Sequence, residues 1–139
     1  MALSRMQWHE MCIDGFLESC SLLKQIMDAS PSIVAIPLAV NAAFACEIAI
    51  KRVIEIRSGN QVRGHNLRNL WGQIDAPDQS MVIPLVCKAV PLAESRFDEY
   101  LDKCSETFED FRYAYESPVG NFTNLPFLIC LAKELRKVR

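Results

Sequence analysis

AVNAAFACEIAIKRVIEI, residues 39 to 56, is rich in alanine, isoleucine and valine, with Phe44, Ile48, Val53 and Ile56 set among small side chains. A helix that is apolar around most of its circumference is stable only when other helices cover it on several sides. The stretch therefore reads as a central helix over about Pro37 to Arg57. Glu47 and Lys51 interrupt it at an i, i+4 spacing with the acid first, the order that lets one charge pair sit at the edge of a core. The neighbouring run from Ile33 to Ile50 carries Pro37, Asn41 and Glu47. That is a poor composition for a bilayer span, so no membrane partner is expected.

Upstream, Trp8, Cys12, Phe16, Cys20, Leu23 and Met27 recur at intervals of three and four and predict one amphipathic helix, ended by Ser30 and Pro31. Downstream, SGNQVRGHN (residues 58 to 66) has almost no apolar content and reads as a loop. A short helix then starts near His65 or Asn66, turning Leu67, Leu70, Trp71 and Ile74 inward, and Asp75 to Asp78 close it. A helical piece follows over about Gln79 to Val90, which Pro84 and Pro91 bend or restart, since each lacks a backbone donor. Phe97, Leu101, Cys104, Phe108, Phe111 and Tyr115 predict one continuous helix from about Leu92 to Glu116. After the breaker Ser117-Pro118-Val119-Gly120, Asn124 caps a last helix with Pro126 in its first turn and Phe127, Leu128, Leu131, Leu135 and Val138 on its apolar face. No segment alternates with period two. The expectation is a single all-α domain over residues 1 to 139, an up-and-down bundle of four to five main helices.

The composition suits that fold: 139 residues, 50% hydrophobic and 23% charged, with a formal net charge of −2. The near balance argues against a chain held on nucleic acid or anionic lipid by net charge. Charge is nonetheless segregated. Lys51 to Arg68 holds five basic residues against one acid, and Glu94 to Glu116 holds eight acids against three bases. Two such surfaces attract, within one chain or across a dimer. The six cysteines show no C-x2-C to C-x4-C pair, and MALSRMQWHE lacks the apolar region of a signal peptide. They read as reduced, buried thiols in a cytoplasmic protein.

Familiar catalytic patterns are missing. No Glu-x-x-His pair offers dimetal ligands, no Gly-rich loop cradles phosphate, and no G-x-S-x-G elbow presents a nucleophile. No metal site or cofactor is implied.

Three segments together do point to a family. AVNAAFACEIAIKRVIEI, the polar loop and GHNLRNLW resemble the helix-loop-helix of HEPN-domain proteins, where a small-residue helix ending in Glu-x-x-x-Lys precedes a Gly/Thr-His-Asp-Leu turn. FEDFRYAYES (residues 108 to 117) resembles the family's Phe-x-x-Trp-Arg-Tyr-x-Tyr-Glu stretch. The resemblance spans roughly residues 35 to 135. It implies a commonly dimeric helical bundle from prokaryotic toxin-antitoxin or phage-defence systems, in which many members are metal-independent RNases.

Those RNases carry Arg and His separated by four to six residues. From Arg112 the permitted positions are Ser117, Pro118 and Val119; counting back from His65 they are Ser58, Gly59 and Asn60, and from His9 they are Ala2, Leu3 and Ser4. The pair is absent. An imidazole to move the proton beside a guanidinium to offset phosphate charge is thus not encoded locally. The resulting expectation is a HEPN-like, homodimeric module that binds an antitoxin-type protein or RNA without cleaving it. Its binding residues are Glu47, Lys51, Arg63, His65, Arg68, Arg112 and Glu116. Two alternatives stay open: an RNase with a displaced catalytic set of His65, Arg112 and Tyr115, and a purely structural dimerisation scaffold.

Overall fold

The computed structural model describes residues 2–29, 31–105, 107 and 124–139, and every regular element among them is helical. Six α-helices are seen there: α1 (Arg5–Ala29), α2 (Pro31–Ser58), α3 (Leu67–Trp71), α4 (Ala76–Ala89), α5 (Phe97–Cys104) and α6 (Leu125–Arg136). The chain is an all-α bundle.

Helix α2 is the central element. Ala42, Ala45, Cys46, Ala49, Ile50 and Val53 are all fully buried, and their small size lets the neighbouring helices approach closely. Its Val34–Ser58 portion is long and apolar enough to cross a membrane, with a mean hydropathy of 1.6, yet 56% of that window is buried inside the fold. α1 runs antiparallel to α2, with Phe16 stacked on Phe44 at 5.3 Å and Arg5 reaching Glu55. α6 runs parallel to α2: the Cys46 thiol donates to the Leu128 carbonyl at 2.7 Å, and Arg52 further along reaches the carbonyl of Val138. Phe127, Leu128, Leu131 and Leu135 are wholly buried there. Trp71, Phe97 and Phe127 continue the core, with ring centroids 5.0 and 5.3 Å apart.

Four local readings of the sequence need correction. Pro37 does not start α2, which begins at Pro31; an interior proline removes one backbone donor, and the packed turns on either side outweigh that loss. Asp75 to Asp78 do more than close α3. Asp75 is the N-cap of α4 and Pro77 lies in its first turn, where a missing N–H is harmless. Trp8 is 54% exposed, not inward. Each step of four residues overshoots a turn by about 40°, so Trp8, Cys12, Phe16 and Cys20 wind around the helix, and Ile13 and Cys20 take the core side.

The helix expected from Leu92 begins only at Phe97, after a 3-10 turn over Glu94–Arg96, and α5 ends at Cys104. The Ser105 hydroxyl donates to Leu101 O at 2.7 Å and accepts from Arg68 N at 3.2 Å, and the Thr107 hydroxyl donates to Cys104 O. Hydroxyls bonded back to the preceding turn in this way loosen a helix, and the helix is interrupted at Ser105 while Thr107 is helical again. The remainder of that expected helix, from Phe108 to Glu116, lies outside the described residues.

Candidate functional site

Glu47 is the pivot of the site. Its side chain is only 7% exposed on the central helix, and both oxygens are engaged. Oε2 accepts from Lys51 Nζ at 3.1 Å, one turn along, and Oε1 accepts from His65 Nδ1 at 2.9 Å. A carboxylate has no hydrogen to give, so Nδ1 carries it and the ring orientation is set. The loop delivers His65 by two local devices. Gly59 and Gly64 take φ of +75° and +108°, a region costly to side chains bearing a Cβ. Asn66 then caps α3, its side chain accepting from Asn69 N at 2.9 Å.

Glu47 and Lys51 also line a half-open cleft of about 270 Å³ between α1 and α2. Trp8, Cys12, Ile48 and Val62 make its apolar walls, and Arg5, His9 and Glu55 complete the polar ones. Glu55 Oε1 takes a short bond from Arg5 Nε at 2.7 Å, while Oε2 stands 3.9 Å from His9 Nδ1, too far for a hydrogen bond. That His9 nitrogen is buried without a hydrogen-bond partner. Burial pushes the His9 pKa down; Glu55 opposes this, and the charges of Arg5, Arg52 and Lys51 reinforce it. The imidazole is therefore neutral at pH 7, and the cleft presents a polar lining in which both signs of charge are already paired.

Behind the cleft, Arg52 is only 3% exposed and clamps two elements: its guanidinium donates to Val138 O at 2.9 Å and to Glu10 Oε1 at 2.8 Å. Arg57 forms a two-pronged bond with Asp78 at 2.7 and 2.9 Å, which holds the Asp78 carboxyl below its usual range. Both act as fold contacts.

Of the residues expected to form a site, the structure brings Glu47, Lys51 and His65 together. Arg68 faces Asp98 at 2.6 Å and Asp102 at 3.5 Å, so the basic and acidic segments do meet, at this point within one chain. These are surface pairs, worth at most about 1 kcal/mol. Arg63 is exposed. Arg112, Tyr115 and Glu116 lie outside the described residues. Sequence reading missed Arg5, His9 and Glu55. His9 falls four residues before Ile13 on the inward side of α1, and that phase was the one signal for it. No family model matches the chain, nor does any curated protein or solved structure.

Proposed function

We propose that the chain is a HEPN-like helical module of a prokaryotic toxin-antitoxin or defence system that acts as a homodimer and binds a protein partner without cleaving RNA. The observation that carries this reading is the outward face of α1. Trp8, Met11, Leu22 and Ile26 are 47–54% exposed there, with Gly15 and Ser19 between them. Their steps of three and four residues form one seam about two small central positions. An antiparallel second copy would set Trp8 against Ile26 and Met11 against Leu22, with the backbones close at Gly15 and Ser19. Such a seam calls for another apolar protein surface. Phosphate finds less: most described arginines and lysines are already in salt bridges, among them Arg5, Lys51, Arg52, Arg57 and Arg68.

Light scattering on the purified chain tests this. A mass twice 15.7 kDa, falling to the monomer in Leu22→Asp, is expected; a wild-type monomer at high concentration overturns it. Incubation with mixed RNA gives no cleavage on this reading, and salt-dependent retention would move the partner from protein to RNA.

A second reading, the RNase with His65, Arg112 and Tyr115, draws support from the Glu47–His65 hydrogen bond, since a carboxylate that orients an imidazole is common in acid–base chemistry. Metal-independent cleavage abolished by His65→Ala is the result that would establish it.

A further inference from the structure

α1 and α6 lie antiparallel, tied near one end by Arg136 on Asp14 at 3.0 Å and on Glu10 at 3.6 Å. Away from that tie, an apolar groove runs between them. Its larger lobe, about 290 Å³, rests on Met27, Leu38, Leu125, Ile129 and Cys130. A second lobe of about 210 Å³ continues over Leu17 and Cys20. Lys24 on α1 and Lys133 on α6 line both lobes. Neither lysine forms a salt bridge among the described residues, whereas the surrounding Arg136 and Lys137 do.

We propose that this groove is a docking site for an acidic amphipathic helix of a protein partner. The charge is the first argument: two ammonium groups that form no salt bridge among the described residues flank an apolar floor and complement carboxylates bordering an apolar face. The length is the second. The eight steps from Leu125 to Lys133 span about 12 Å, the reach of i, i+4, i+7 anchors on a bound helix. The chemistry of the floor is the third. Among the described residues no aromatic side chain lines either lobe, so these walls offer nucleobases nothing to stack on. This rests on the protein-partner reading above and names that partner's recognition chemistry. The groove is on a different side of α1 from the dimer seam, so the two surfaces are separately testable.

The test is selection of displayed amphipathic helices, with their flanking positions randomised, against the full chain. Enriched helices should carry Asp or Glu beside the apolar stripe. A synthetic peptide of the enriched sequence should lose at least tenfold in affinity for Lys24→Glu/Lys133→Glu, with circular dichroism showing the variant folded. The same peptide with its acids changed to lysine should prefer that variant over wild type. Binding should persist in Leu22→Asp, so failure of the dimer reading and failure of this one are distinguishable. Failure to enrich any helix, enrichment without acidic bias, or affinity indifferent to the lysine reversals overturns the proposal. So does displacement by dodecanoate at concentrations below that of the peptide, which would assign the groove to an acyl chain.

Discussion

Arg52→Met separates the guanidinium from its aliphatic stem, because methionine fills much the same space and makes no hydrogen bonds. The native side chain gives bonds of 2.9 Å to Val138 O and 2.8 Å to Glu10. Each charge-assisted bond is worth about 1.5–3 kcal/mol. Two effects offset their loss. Glu10 is 26% exposed and keeps Arg136 at 3.6 Å, so it rehydrates in part. The variant also no longer buries a guanidinium whose Nε has no partner. The net expectation is a destabilisation of about 2–3 kcal/mol. With an unfolding entropy of about 2.1 cal/mol/K per residue, that lowers Tm by roughly 7–10 °C. Thermal and urea unfolding followed by circular dichroism measure it. The same substitution removes one of the charges that press the His9 pKa down, so the His9 midpoint in an NMR titration should rise. A melting point within about 2 °C of wild type, together with an unmoved His9 midpoint, would refute the assigned clamp and the electrostatics of the cleft.

The His9 shift also fixes the sign of a pH dependence. Its folded pKa lies below 6.5, so the unfolded chain binds the proton more readily, and stability present above pH 6.5 is lost as the pH falls toward the folded value. Urea midpoints at pH 5.5 and 7.5 should differ in this sense, and the difference should shrink in His9→Gln. Leu131→Ala, at a fully buried position of α6, should cost about 2–5 kcal/mol by opening a cavity, read from denaturant unfolding. Gly64→Ala places a Cβ in open space but at a φ of +108°. It should cost about 1–3 kcal/mol through backbone strain alone, and weaker protection of His65 from diethyl pyrocarbonate would report release of the Glu47 contact.

What could be read from the residues was local. The caps at Asn66 and Asn124 are visible because a short polar side chain precedes an apolar run, and both accept the predicted backbone bond. Alanine-rich α2 is equally legible as a central helix, and so is the Glu47–Lys51 pair within one turn. The failures each have a physical cause. The phase drift that turns Trp8 outward is invisible to a count of intervals. The interruption at Ser105 is tied to Arg68, far away in sequence, whose backbone N–H the Ser105 hydroxyl accepts. The cleft needs His9 and Glu55 from two different helices, and no motif spacing announces a pairing made by tertiary packing. The HEPN resemblance supplied His65 through its turn, and the structure placed it on a carboxylate of the same chain.

The burial pattern of the thiols offers a practical dividend. Cys20, Cys46, Cys87 and Cys104 are sealed in the interior, with Cys20 and Cys104 pushed up to about 11. Cys12 borders the polar cleft and Cys130 borders the lysine-flanked groove, each partly open to reagents. A maleimide fluorophore on wild-type protein therefore lands beside the two surfaces of interest. Removing either cysteine leaves a single reporter that watches one surface at a time.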